Sequence, residues 1–162
     1  MNNKTKPIKH TRILLANRKA HFDYHLLEKI EAGIVLTGPE VKSLRLGKGD
    51  LSHAFAYTSK EEIALHQLYI EPYTYAHEAT HEEATRERRL LLHKRQIKKL
   101  SGAVNTQGLT LVPTKIYLSA QGTIKVEIAL SKGKTKVDKR ETLKEKSWQR
   151  HKQQLMKRTA CA

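Results

Sequence analysis

The strongest constraint on the fold of this 162-residue chain is the point at which its apolar residues end. Nearly all the Val, Ile and Leu lie before Ser131, whereas residues 132–162 carry 11 Lys and Arg against 3 Asp and Glu, a net charge of +8. A segment with so few apolar side chains cannot bury enough surface to offset the entropy lost on ordering. The sequence therefore predicts a basic arm over 1–12, a compact body over 13–131, and a basic tail over 132–162 that is disordered on its own.

The charge of the whole chain indicates a polyanionic partner. Its formal net charge is +15 and its isoelectric point is near 10.0. Like charges repel one another in a compact state unless a polyanion neutralises them. Nucleic acid or an anionic surface is the expected partner.

The same composition excludes several classes of protein. No apolar run approaches the roughly 18 residues that a membrane span needs, and the first 12 residues lack the apolar core of a secretion signal. Cys161 is the sole cysteine, so neither an internal disulfide nor a multi-cysteine zinc site can form. These features predict a cytoplasmic protein with no membrane partner.

Period-2 patterns predict that the body is mainly β. Apolar residues at 124, 126, 128 and 130 alternate with other residues, as in a strand with one buried face. The segment 108–118 is rich in β-branched residues, and Ala120-Gln121-Gly122 forms a turn that joins the two as a hairpin. Further predicted strands are Phe22–Ile30, Gly33–Thr37, His53–Thr58 and Glu62–Ile70. Six short strands favour a small barrel or sandwich, because closure removes exposed edges.

Two short helices are predicted among the strands. One begins at Pro39 and stops at Gly47, and the other runs from about His93 to Leu100 with Gly102 as its stop. Both present Lys and Arg to solvent, and Glu40 is the only acid within them. An ordinary solvated helix face is the alternative reading of each helix taken alone.

One histidine pair matches a catalytic zinc motif, but its surroundings do not support that interpretation. His77-Glu78-Ala79-Thr80-His81 matches the H-E-x-x-H pattern, in which two imidazoles one helical turn apart hold zinc. The surrounding segment is so polar that no apolar stripe could bury a helix, and no third histidine follows at the spacing of the extended motif. Walker A, G-x-S-x-G and G-x-G-x-x-G patterns are also missing. We therefore predict no enzymatic activity, metal, cofactor or small-molecule substrate.

The tail begins with a dense run of cations. Residues 132–140 hold five Lys and Arg, and a run without Gly or Pro, Glu141–Lys157, is compatible with a helix. Its apolar residues do not share one face, so helicity should depend on binding. The alternative is a basic tail that only keeps the protein soluble. Trp148 argues against it, because such tails seldom include a residue that stacks and packs.

Several segments of the chain resemble the motifs of a known family and occur in the same order. They are NRKAHFDY (17–24), EAGIVLTGPEVKSLRLGKG (31–49), LLLHKRQIKKL (90–100), GLTLVP (108–113), LSKGK (130–134) and DKRETLKEKSWQRHKQQLMK (138–157). Together, over about residues 13–158, they resemble the SsrA-binding proteins (small protein B) of bacterial trans-translation.

This resemblance implies both a fold and a function. The expected fold is an oligonucleotide-binding-type antiparallel barrel of six strands with flanking helices. The barrel would bind the tRNA-like domain of tmRNA, while the tail enters the decoding centre and the empty mRNA channel of a stalled ribosome and folds there into a helix. The implied partners are tmRNA, the ribosome with its small-subunit rRNA, and elongation factor Tu with alanyl-tmRNA. A structural ribosomal protein is the alternative.

The resemblance also assigns an RNA face. An RNA elbow is recognised through phosphates, 2′-hydroxyls and stacking on unpaired bases. Glu31 could accept hydrogen bonds from bases or orient a neighbouring cation, or simply end a strand in solvent. For Leu91, core packing is the alternative to RNA contact. The residues that match the family's RNA face are Asn17, Lys19, Tyr24, Glu31, Lys42, Arg45, Leu91 and His93.

In the tail, the resemblance places a second set of residues at the decoding centre. Many relatives have an aromatic residue or His directly before the Asp-Lys-Arg triplet, where it could stack on a base, whereas this chain has Val137. The residues of this second set are Lys132, Gly133, Lys134, Val137, Asp138, Lys139, Arg140 and Trp148.

Overall fold

The structure of the protein is a computed structural model, which describes residues 12–59, 62–74 and 84–160. The basic arm up to residue 11 and the His77–His81 motif lie outside the described residues. The strands are β1 Arg12–Ala16, β2 Tyr24–Ile34, β3 Gly49–Asp50, β4 Phe55–Ser59, β5 Glu62–His66, β6 Tyr69–Ile70, β7 Arg88–Leu91, β8 Thr110–Leu118 and β9 Ile124–Gly133. The helices are α1 Arg18–Asp23, α2 Gly38–Arg45, α3 Lys94–Gln107 and α4 Lys136–Ala160.

Six antiparallel strands close into a ring. The order is β8-β4-β5-β7-β2-β9, and the pairing of β9 with β8 completes it, while β1 adds to the far end of β8. The two short strands β3 and β6 pair with each other as a separate ribbon. The predicted six-stranded barrel of oligonucleotide-binding type is therefore confirmed.

The predicted alternation in β9 is correct for the core but incomplete. Val126, Ile128 and Leu130 point into the barrel and are buried. Ala129 and Glu127, expected on the solvent side, are buried too. Glu127 accepts a hydrogen bond of 2.5 Å from the Thr114 hydroxyl, and this partner offsets part of the cost of burying a carboxylate. Both faces of this strand are thus covered.

Several boundaries differ from the sequence prediction. The predicted turn at Ala32-Gly33 does not exist, because β2 is one continuous strand in which Gly33 makes room for its neighbour: a Cβ there would lie 3.2 Å from the Cβ of Leu91. The predicted strand 62–70 is broken at Gln67, which has a positive φ of 54°. Elements β1, β7 and α1 were not predicted, since each is short and carries little apolar periodicity.

Helix α3 passes through its predicted stop. It continues beyond Gly102 to Gln107 and ends at Gly108, which adopts the left-handed conformation with φ 61°. Leu100 is fully buried, and Ala103 and Val104 beyond the glycine also pack against the core. Tertiary burial of this face outweighs the roughly 1 kcal/mol that a glycine costs inside a helix.

The tail forms a helix that includes the run 141–157, which the sequence marks as compatible with a helix; disorder of the tail away from the ribosome stays a prediction. Helix α4 spans 25 residues and is about 37 Å long. Thr135 begins it: its backbone N–H donates to the Asp138 carboxylate (3.0 Å) and its hydroxyl accepts from the Asp138 N–H (3.3 Å). Strand β9 continues through Gly133, so Lys132 and Gly133 belong to the barrel and the tail begins after them. Among the described residues, no helix is long and apolar enough to span a membrane.

A buried charge cluster attaches α2 to the barrel. The Arg88 guanidinium is completely buried and donates to the Glu40 carboxylate at 2.8 Å and to the Leu68 carbonyl at 2.6 Å. Arg86 donates to the same carboxylate at 2.9 and 2.5 Å. Burial by itself raises the pKa of Glu40, but the hydrogen bonds from Arg86 and the Thr37 N–H, together with the charge of Arg88, outweigh it and lower the pKa below its usual value.

Replacing Glu40 with Ala should therefore lower the free energy of unfolding by about 3 kcal/mol, because it leaves a buried guanidinium without its carboxylate. Urea denaturation measures the change. Glu62→Ala is the matched control: it removes the partner of Arg89, which is 3.1 Å away and exposed, and should cost less than about 1 kcal/mol. Equal losses in the two variants would show that burial of the cluster is not what stabilises the fold.

Candidate nucleic-acid interface

Asn17 joins three distant segments beneath helix α1. Its side-chain oxygen accepts from the Ala20 N–H (2.9 Å) and caps the helix. Its amide nitrogen donates to the Leu51 carbonyl (2.9 Å) and to the Pro113 carbonyl (3.2 Å). The residue is 4% exposed. Buried and hydrogen-bonded, Asn17 positions α1 at the base of this surface, and RNA contact by Asn17 itself stays a prediction.

A groove of about 330 Å³ lies between α1 and the start of β4. It brings together Lys19 and Tyr24, both predicted to contact RNA, above the buried Asn17. The opposite wall contains His53 and Phe55, which sequence reasoning missed. Phe55 lies in a short strand whose sequence gives no local signal of function, and the pairing of β4 with β8 places it here.

Glu31 is already engaged within the protein. It lies on β2, about one-third exposed, where its carboxylate accepts from the Lys125 ammonium and from the Tyr117 hydroxyl. Tyr117 is buried, and desolvation together with the hydrogen bond to Glu31 raises its pKa, so the phenol stays protonated as a donor. Of the roles proposed for Glu31, orienting a neighbouring cation is the one that this geometry supports.

Leu91 lies on the outer face of the barrel. It pairs directly with Gly33 and shares a face with Glu31, two residues before Gly33 on β2. Its side chain is 55% exposed, so it is not a core residue. His93 follows β7 and begins α3, where its backbone N–H donates to the Gln96 side chain at 3.0 Å. RNA contact by Leu91 and His93 stays a prediction.

Helix α2 carries two cations that are predicted to contact RNA. Lys42 and Arg45 are both exposed, and the Lys42 ammonium lies 5.2 Å from the centre of the Tyr73 ring. The predicted start at Pro39 and stop at Gly47 agree with α2, since Pro39 lies in its first turn and Gly47, with φ 76°, follows its end. The Glu40 carboxylate also accepts from the Thr37 N–H (2.7 Å) and caps the helix. Both charges are available to phosphates.

The base of the tail helix contacts the barrel beside the groove. The Lys139 ammonium lies 2.7 Å from the Asp23 carboxylate and 6.0 Å from the Phe22 ring centre. The Lys134 backbone N–H donates to the Asp23 carbonyl at 2.9 Å. The Thr135 N–H is the main cause that lowers the pKa of Asp138, which also lies 3.6 Å from His25. Residues expected at the decoding centre therefore hold the tail against the head in this structure.

The other tail residues on the predicted list project into solvent. Val137 is 62% exposed and Trp148 is 66% exposed. Arg140 is exposed on the first turns of α4, while Lys132 and Gly133 lie opposite His25 and Tyr24 at the end of β9. Their position at the decoding centre stays a prediction.

Fold and surface together define a small oligonucleotide-binding-type barrel protein with a basic helical extension. The model of the SmpB protein family matches residues 14–158, which includes the barrel and nearly all of α4. The chain belongs to the SmpB family.

Named relatives cover most of the chain. The SsrA-binding protein of Parvibaculum lavamentivorans is 50% identical over 147 residues, which are 90% of this chain and 88% of that protein. The SsrA-binding protein of Caulobacter vibrioides is 50% identical over 141 residues, 87% of this chain and 92% of that protein. A solved structure described as "tmRNA-SmpB: a journey to the center of the bacterial ribosome" is similar with a TM-score of 0.63 and 48% identity, over 75% of this chain and 85% of that one.

Replacing Asn17 with Ala should lower the free energy of unfolding by about 2 to 4 kcal/mol, because the helix loses its cap and two buried carbonyls lose their donor. Thermal or urea unfolding measures this loss. Asn105→Ala, at an exposed position of α3, is the control and should change stability by less than about 0.5 kcal/mol. An unchanged stability for Asn17→Ala would show that these hydrogen bonds do not hold α1 in place.

Proposed function

We propose that this protein binds tmRNA and acts with it in trans-translation on stalled ribosomes. Two linked observations carry the proposal. The barrel has a groove lined by aromatic and cationic residues, and its last strand, β9, is followed after two residues by a basic helix, α4. The names of the relatives support the RNA partner, and the described subject of the similar solved structure supports the ribosome. The proposed role is binding rather than catalysis, in the cytoplasm where ribosomes translate.

The barrel is the RNA-selecting part in this proposal. A folded RNA is recognised by shape, phosphate contacts and stacking on unpaired bases. Lys19 beside the groove and Lys42 and Arg45 on α2 supply the charges, and Tyr24 supplies an aromatic ring. Glu31 holds Lys125 in place, and Leu91 offers an exposed apolar contact on the same side of β2. The groove, α2 and this outer face together form the proposed surface for the tRNA-like domain.

The tail is the ribosome-contacting part. Helix α4 is about 37 Å long and carries exposed Arg140 and Trp148, which suit an rRNA-lined channel through charge and stacking. Entry into the decoding centre requires release of the partly exposed Lys139–Asp23 pair, a small cost for a contact of this kind. In the proposed sequence of events, this protein is delivered to the stalled ribosome together with elongation factor Tu and alanyl-tmRNA.

A structural ribosomal protein is the rival that shares the basic composition. Sequencing of the RNA that copurifies with the full-length protein separates the two. We expect tmRNA to be enriched over ribosomal RNA relative to total cellular RNA. Ribosomal RNA in stoichiometric amounts from translating ribosomes, with no tmRNA enrichment, would refute the proposal.

Removal of residues 136–162 should separate binding from function. A chain that ends at Thr135 keeps β9 and its pairing with β2, so the affinity for tmRNA should fall by less than about fivefold, because the lost contact near the groove is a partly exposed ion pair. Tagging of peptides from messages without a stop codon should be abolished. Filter binding and an in vitro tagging reaction measure the two properties. Normal tagging by the shortened chain would contradict the role of the tail.

A further inference from the structure

We infer that the groove between α1 and β4 accepts a single unpaired nucleotide of the bound RNA, with its base stacked on Phe55. The inference rests on the proposed RNA-binding function and adds to it a site, a ligand class and a contact residue. The groove volume of about 330 Å³ lies at the small end of the range for ligand pockets, which suits one nucleotide better than a helical segment.

The walls of the groove match the parts of a nucleotide. Tyr24 and Phe55 contribute aromatic rings, and Ala54 and Val112 contribute small apolar surfaces that a flat base can lie against. Lys19 supplies a cation for the phosphate. An apolar peptide side chain would make no use of this charge.

Phe55 is held as a rigid surface. Its ring stacks on the His66 ring with centroids 5.7 Å apart and planes 17° apart, and Tyr57 packs edge-on against His66 at 4.4 Å. Glu87 fixes this arrangement, since it accepts a 2.8 Å hydrogen bond from the Tyr57 hydroxyl and lies 3.4 Å from His66 Nε2. Phe55 is nevertheless 40% exposed. A ring that is already ordered loses little entropy when a base stacks on it.

The charge near the groove also suits a nucleotide. Asp23 lines the groove, but its carboxylate is paired with the Lys139 ammonium at 2.7 Å, so its negative charge is locally compensated. Lys19 on α1 and His53 on the opposite wall then leave the groove neutral to positive. A phosphate can therefore approach without facing an uncompensated carboxylate at this wall.

The test replaces Phe55 with Leu, which keeps apolar volume and removes the ring. With the full-length protein and the transcribed tRNA-like domain of tmRNA as the probe, the dissociation constant should rise about 5- to 150-fold, the range for loss of one base stack. The slope of affinity against salt should not change, because no charge is removed, whereas Lys19→Gln should reduce that slope by about one. Phe55→Tyr, which keeps the ring, should bind within about threefold of the original chain.

Tyr69→Leu is the matched control, since Tyr69 is similarly exposed but lies on β6 outside the groove, and its affinity should stay within about twofold. A Phe55→Leu affinity within the same twofold would overturn the inference while leaving the proposed function intact. Photocrosslinking from benzoylphenylalanine at position 55 gives a readout that does not depend on affinity. A crosslink to an unpaired nucleotide supports the site, and crosslinks confined to paired stems overturn it.

The same crosslinking, carried out with total cellular RNA, separates failure of the site from failure of the proposed function. Crosslinks to unpaired nucleotides of other RNAs, with no tmRNA crosslinked and none copurified, would uphold the nucleotide groove and refute the tmRNA partner. If tmRNA copurifies but position 55 does not crosslink to it, the function stands and the groove is refuted.

Discussion

The hydrogen bonds of one buried amide, that of Asn17, position α1 and the groove beside it, which is part of the proposed RNA surface. Asn17 caps α1 and bonds to carbonyls 34 and 96 residues away, so it holds the helix, the segment before β4 and the bulged region of β8 at fixed distances from one another. The β8 register shifts between Pro113 and Lys115, where proline removes a ladder donor. That irregularity gives Asn17 a carbonyl to bind. The groove above it exists because these three segments are tied together.

Buried and exposed charged groups have different roles in this protein. Arg88 and Glu127 are buried, and each has hydrogen-bond partners that offset the cost of removing a charge from water. Lys19, Lys42 and Arg45 are exposed and can release counterions when phosphates bind. The high net charge therefore divides into a part that builds the scaffold and a part that faces a partner. Composition alone does not distinguish the two.

The contact between head and tail links the two proposed binding events. Asp23 lies in the wall of the groove and also pairs with Lys139 at the base of α4. A nucleotide in the groove would therefore lie beside the residue that retains the tail. Because the pair is partly exposed and weak, the helix can change partners without disturbing the barrel. A stable head and a tail that changes partners are thus compatible in one short chain.

The sequence by itself determined a mainly β body, the β8–β9 hairpin, the start and stop of α2, and the division between an apolar head and a basic tail, because these follow from local periodicity and from Gly and Pro. It did not reveal α1, β7, the length of α3 or the continuity of β2 through Gly33. Tertiary structure alone decided that Asn17 is buried, that Lys125 and Lys139 are paired, and that Phe55 and Lys19 line the same groove. The physical reason is that a side chain's exposure and partners depend on strand register between distant segments, which no local pattern encodes.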